Sequence, residues 1–165
     1  MVRKYTLMAV EIERKFQVNK EKWQQVKKPE GSYLRQGYLL TDPEKTIRVR
    51  VKKETGYLTI KGKNEGATRA EYEYPIPLID AEELLDKFAS AVISKVRFEI
   101  PVAGKIWEVD EFSGDNSGLI LAEIELNTEE EKFTLPDWVS EEVTHDKRYY
   151  NSQLSMHPYK DWQEA

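Results

Sequence analysis

The side chains that could do chemistry in this chain are acids and bases set at every second position. Near the start, Glu11-Ile12-Glu13-Arg14-Lys15 carries Glu11, Glu13 and Lys15 in alternation. Further on come Arg48, Arg50 and Lys52, then Lys61 and Lys63, then Arg69, Glu71 and Glu73. Lys95, Arg97 and Glu99 follow, and after them Glu108 with Asp110 and Glu123 with Glu125. In an extended chain, residues i and i+2 point to one face. Each of these sets therefore shares a face. The other face is apolar: Val10, Ile12 and Phe16; Ile47, Val49 and Val51; Leu58 and Ile60; Val96, Phe98 and Ile100; Trp107 and Val109; Ile124 and Leu126.

One such strand is an ordinary half-buried strand with a solvated charged face. Here the same habit recurs along the chain, and the signs are sorted strand by strand. Like charges side by side repel, so the arrangement is costly unless a ligand balances it. A polyanion with metal ions would balance both sets. Arg and Lys hold phosphate oxygens, and carboxylates hold hard divalent cations that bridge to phosphate.

Other chemistries are excluded by composition. The chain has no cysteine, so disulfides, thiolate catalysis and Cys-based zinc sites are ruled out. With two histidines, His145 and His157, a multi-His metal site is also out. Any metal must be held by carboxylates, which favours Mg, Mn or Ca. A formal net charge of -5 argues against broad nucleic-acid binding. Nine Tyr, four Trp and five Phe argue for a folded core despite 33% charged residues. No apolar run is long enough to span a membrane. Met1 to Leu7 lack the apolar stretch of a signal peptide, and Met8 is an alternative start. A cytoplasmic protein is expected.

The elements that must position these residues are mostly strands. Period-two alternation predicts them at about 9–18, 32–40, 46–53, 57–63, 68–76, 93–102, 105–112 and 119–127. Glu54-Thr55-Gly56 reads as a hairpin turn, and Gly104 supplies another. A short helix is expected over 20–26, capped by Asn19. A longer one is expected over 80–91, with Asp80 and Glu83 at capping-box spacing and Leu84, Leu85 and Phe88 as its apolar stripe. Short helices are also expected at 129–133 and near 151–156. One domain spanning 1–165 is the simplest organisation. Closing the sheet into a barrel would remove its edges, but an open sheet with a charged concave face gives the same pattern.

In order, these strands resemble the CYTH superfamily, also called triphosphate tunnel metalloenzymes. Glu11-Ile12-Glu13-Arg14-Lys15-Phe16 resembles its ExExK signature. Leu34-Arg35-Gln36-Gly37-Tyr38-Leu39 is similar to its second strand, and Ile47-Arg48-Val49-Arg50 to its RxR strand. Leu58-Thr59-Ile60-Lys61 and Arg69-Ala70-Glu71-Tyr72-Glu73 resemble the next two. Lys95-Val96-Arg97, Trp107 to Phe112 and Glu123-Ile124-Glu125 resemble the later basic and acidic strands. Glu141 to Tyr149 resembles the terminal segment of short bacterial members.

The resemblance implies a mainly β (α+β) fold: a closed eight-stranded antiparallel barrel tunnel with a charged interior, flanked by a few helices. It implies divalent-metal-dependent hydrolysis of a small-molecule triphosphate, first of all inorganic tripolyphosphate, to diphosphate and orthophosphate. Alternatives on the same tunnel are thiamine triphosphatase, adenylate cyclase and a non-catalytic polyphosphate or nucleotide sensor. Metal binding, to Mg2+ or Mn2+, is assigned to Glu11, Glu13, Asp110, Glu123 and Glu125, with Glu71, Glu73 and Glu108 in reserve. Phosphate binding and catalysis fall to Lys15, Arg48, Arg50, Lys61, Lys95 and Arg97, with Arg69 and Lys147 behind them. Tyr38 is either a tunnel-mouth donor or a buried structural residue. His145 is expected to be exposed, and the Trp residues to pack beneath helices. Neither membrane nor nucleic acid is expected as a partner. The protein would be a monomer or a homodimer.

Overall fold

The structure is a computed structural model that describes residues 12–65 and 68–162. Among the described residues there are nine strands: β1 (Ile12–Val18), β2 (Ser32–Asp42), β3 (Lys45–Lys52), β4 (Thr55–Glu65), β5 (Thr68–Ile76), β6 (Val92–Val102), β7 (Lys105–Phe112), β8 (Ile120–Leu126) and β9 (Val139–Glu142). Three α-helices accompany them: α1 (Lys20–Gln24), α2 (Leu78–Phe88) and α3 (Asn151–Met156). The class is mainly β and antiparallel with few helices, as expected. None of the described helices is long and apolar enough to cross a membrane. The chain divides into two compact units, one of Tyr33–Ser94 and the other of residues 12–32 and 95–162.

In the first unit, β5, β4, β3 and β2 lie side by side in that order. Val49, Val51, Ala81 and Leu85 form its buried core, with α2 packed on the apolar side of the strands. The expected capping box at Asp80 is not formed. The helix begins at Leu78 behind Pro77, whose extended backbone leads into the first turn and which lacks an N–H to leave unsatisfied. Asp80 instead sits inside the first turn, where a carboxylate favours the helix dipole. Ala81 and Leu85 are the buried pair at i, i+4 spacing, whereas Phe88 is 65% exposed.

The hairpin turn is also shifted. Lys52 pairs with Thr55, so the loop is Lys53-Glu54 and Lys53 takes a φ of 55°. Gly56 lies in the strand, where a Cβ would come within 2.5 Å of the Ala81 Cβ. Its role is to let α2 approach the sheet.

In the second unit the order is β6, β7, β8, β1, β9, all antiparallel. Its core is Phe16, Val18, Trp23, Ile100, Trp107, Val109, Ala122, Ile124, Leu126 and Trp138. Three tryptophans meet edge to face: Trp23 and Trp138 at 5.1 Å, and Trp107 and Trp138 at 5.9 Å between centroids. Asn19 caps α1, accepting from the Lys22 N–H at 3.0 Å, which is worth about 1 kcal/mol. That helix delivers Trp23, whose indole N–H donates to Glu111 at 2.7 Å.

The β6–β7 turn is Ala103-Gly104, with both residues at positive φ, as a tight two-residue hairpin requires. No helix forms at 129–133. The Asn127 N–H donates to the Glu131 carboxylate, which also pairs with Lys105, and these contacts hold the segment in a turn instead. The ninth strand, β9, was not expected. It has four residues and no apolar alternation, and it is held beside β1 by an Arg14 Nε bond of 2.7 Å to Glu142.

Candidate functional site

The charged residues do face together within each unit. In the first, the register lines up Gln36, Arg50, Tyr57 and Pro75 across β2, β3, β4 and β5. The next row is Tyr38, Arg48, Thr59 and Glu73, and beyond it Thr46, Lys61 and Glu71. Arg50 Nε donates to Gln36 Oε1 at 3.1 Å. Thr59 is fully buried, and its hydroxyl donates to Glu73 at 3.1 Å and accepts from Arg48 Nη2 at 3.4 Å. Arg48 lies 3.9 Å from Glu73, and Lys61 lies 3.8 Å from Glu71. The reserve carboxylates Glu71 and Glu73 thus stand beside the expected phosphate-binding cations. Tyr38 is half-buried on the face of Arg48. Arg69 falls outside the residues whose side chains are described.

In the second unit one row runs Glu99, Glu108, Glu123, Lys15 across β6, β7, β8 and β1. A second runs Arg97, Asp110, Leu121, Gln17. Glu13 stands opposite Glu125. Lys95, wholly buried, lies 2.8 Å from Asp110 and donates to Asn151 Oδ1 at 3.3 Å. Arg97 grips Asp110 with two bonds of 2.7 and 2.9 Å, and it also contacts Glu108. Lys15 lies 3.2 Å from Glu123 and donates to the Tyr149 carbonyl at 3.1 Å.

The protonation states follow from these neighbours. Burial alone would raise the Asp110 pKa, but Lys95 and Arg97 outweigh it and hold the carboxyl well below its usual range. Burial likewise opposes the Glu123 charge, and Lys15 with the other cations brings its pKa below the usual value. Glu108 moves the other way: burial raises it, with Asp110, Glu123 and Glu99 adding repulsion against the pull of Arg97. Asp110 and Glu123 are anions at neutral pH.

For a metal, the donor set is all carboxylate, which suits a hard divalent ion. Glu13 and Glu125 are exposed and directly opposed across β1 and β8, with Glu123 next on the same face of β8. Like charges so placed repel, and a cation between them relieves the repulsion. Among the described residues no three acidic or histidine groups already converge on one point. The expected ligand Glu11 lies outside the described residues. Asp110 differs from the others because both its oxygens are taken by Arg97 and Lys95. The carboxylates of Glu13, Glu123 and Glu125 fit a hard cation in chemistry.

His145 and Lys147 are exposed. Tyr149, Asn151 and Thr144 were not singled out in the sequence. They reach the charged face through a carbonyl, a short amide and a hydroxyl that accepts from the Lys15 N–H at 3.0 Å. Such contacts leave no periodic signal. A cavity of about 620 Å³ lies elsewhere, on the opposite face of β1, between Arg14, Phe16, Phe133, Leu135 and Glu142.

Comparison with known proteins is consistent over nearly the whole length. The CYTH domain family matches residues 9–155. An inorganic triphosphatase of Acetivibrio thermocellus is 47% identical over 158 residues, covering 95% of this chain and 100% of that protein. An inorganic triphosphatase of Nitrosomonas europaea is 36% identical over 154 residues, covering 88% and 97%. A crystal structure of an inorganic triphosphatase superposes with a TM-score of 0.68 at 34% identity, covering 90% of this chain and 96% of that one.

Proposed function

We propose that this chain, which belongs to the CYTH family, is a metal-dependent hydrolase that cleaves inorganic triphosphate to diphosphate and orthophosphate. The observation that carries this reading is the burial of the cations. A solvated charged sheet face would leave Lys95, Arg97, Arg48 and Lys15 in water, yet their side chains are 0%, 14%, 12% and 12% exposed. Cations held away from water beside carboxylates are preorganised for an anion of high charge. The relatives named inorganic triphosphatases support the choice of that anion.

In this reading the residues that bind phosphate oxygens are Arg48, Arg50, Lys61, Lys15, Lys95 and Arg97. The paired guanidinium donors suit two oxygens of one phosphoryl group. Charge that develops on the transferring group would be met by donors already in place, so little reorganisation is needed. Asp110 holds Lys95 and Arg97 at fixed positions. Members of the family are metal-dependent, and Mg2+ or Mn2+ would be held here by Glu13, Glu123 and Glu125 with Glu11. Such an ion supplies charge neutralisation and lowers the pKa of water.

One panel assay tests the reading. The protein is incubated with tripolyphosphate, thiamine triphosphate and ATP, each with Mg2+ or Mn2+ and each with excess chelator. Metal-dependent orthophosphate release, fastest from tripolyphosphate, is expected. Cyclic nucleotide from ATP, turnover in chelator, or no product from any of the three would overturn it.

A further inference from the structure

Gln36 lies in the middle of β2, fully buried, with its backbone directly opposite Arg50 on β3. A buried amide on a charged face needs partners for both its ends. A guanidinium carries donors only, so the amide must present its oxygen to Arg50. The Arg50 Nε to Gln36 Oε1 bond of 3.1 Å does this. The orientation of the amide is then settled by chemistry: the NH₂ end is the one left over. Among the described residues that buried Nε2 has no hydrogen-bond partner.

The neighbouring row shows the same deficit. Arg48, two positions from Arg50 on the same face, has a buried Nε that also lacks a partner. Both unmatched groups are donors. The acceptors nearby are already engaged: Glu73 takes the Thr59 hydroxyl and lies beside Arg48, and Glu71 lies beside Lys61. Buried donors without acceptors carry the desolvation cost of the group uncompensated, and each calls for an explanation. An oxyanion with several acceptor atoms supplies one.

We propose that Gln36 is a substrate-binding residue, its amide held by Arg50 so that the NH₂ group donates to a phosphate oxygen of the bound triphosphate. This rests on the triphosphatase reading and adds a neutral contact to its cations. A neutral donor brings direction without further charge, so it selects the position of a phosphoryl oxygen on a face where the cations alone would tolerate several.

Gln36→Glu tests the idea with little change of shape. The carboxylate still accepts from Arg50, so a purely structural role is preserved or improved. It offers no donor, however, and it puts a negative charge where phosphate would sit. Tripolyphosphate binding to the full chain is measured by titration calorimetry in excess chelator, and KM and kcat by phosphate release with Mg2+. Both Kd and KM should rise by about 10–100-fold, the loss of a hydrogen bond to a charged partner, while kcat changes much less. Circular dichroism confirms the fold. Should Gln36→Glu not fold, Gln36→Met, similar in length and uncharged, takes its place with the same expectation of weaker binding.

A folded variant that binds tripolyphosphate within about threefold of wild type overturns the proposal and leaves the triphosphatase reading intact. Wild-type protein that binds tripolyphosphate but hydrolyses no triphosphate sinks that reading, while the calorimetric comparison still decides the role of Gln36. Wild-type protein that binds none of it overturns both.

Discussion

Replacing Asp110 with Asn would remove one charge from the most buried ionic network in the second unit. Asp110 is 2% exposed and accepts two bonds from Arg97, at 2.7 and 2.9 Å, with Lys95 at 2.8 Å. Asn keeps the shape but leaves two cations facing one neutral amide. Removing one partner of a buried pair costs about 3–5 kcal/mol, mostly because the uncompensated charge stays buried. Asn retains one acceptor oxygen, so the lower end, about 3 kcal/mol, applies. With a urea m-value of about 2 kcal/mol/M, the midpoint should fall by roughly 1.5 M. Urea titration followed by tryptophan fluorescence reads this directly, because three tryptophans lie in the same unit's core.

The pH dependence gives a second check on Asp110. Its folded pKa is depressed, so its contribution is fully present above the unfolded value of about 4 and is lost as pH falls through the folded value. The gap between wild type and Asp110→Asn should therefore be constant from neutral pH to about pH 5 and narrow only below about pH 4. An unchanged midpoint at neutral pH would refute the network as drawn. A gap that widened with acid would refute the sign of the shift.

Two further outcomes follow from other parts of the structure. Glu13→Gln should weaken Mn2+ binding, read by calorimetry, by more than the about 10–100-fold typical of losing a group that only supports a ligand; wild-type affinity would remove Glu13 from the metal set. Gly56→Ala should destabilise the protein by about 1–3 kcal/mol through overpacking, because the added Cβ meets the Ala81 Cβ at 2.5 Å; a thermal midpoint equal to wild type would show that α2 is free to shift.

Much of this was legible in the sequence because strands write their faces into it with period two. The alternation at Arg48 and Arg50, and at Lys95 and Arg97, placed each pair on a shared face, and the register bears that out. What was missed lacks periodicity. β9 is held by Arg14 pairing with Glu142, 128 residues away, which no local window contains. The turn at Lys53-Glu54 was misplaced because Gly56 looked like turn chemistry when its function is close packing against Ala81. The capping box at Asp80 failed because Pro77 starts the helix earlier. Gln36 was invisible as chemistry, since an amide in a strand is unremarkable until its burial and its bond to Arg50 are known.

The pairing of five of these cations with carboxylates also explains how so many charges are tolerated at once. Lys15 has Glu123, Lys95 and Arg97 share Asp110, Arg48 has Glu73 and Lys61 has Glu71. A row of like charges alone would repel by more than its hydration could offset once water is excluded. Interleaved carboxylates cancel most of that repulsion while leaving donor atoms over, because Arg and Lys carry more N–H groups than one carboxylate can accept. The surplus is what an anion can use. The exposed carboxylates Glu13 and Glu125 stand opposite each other across β1 and β8, a pairing that suits a hard cation rather than an anion. In the proposed reading a polyanion that arrives with a divalent cation meets both kinds of group, the donors with its oxygens and the carboxylates with its metal.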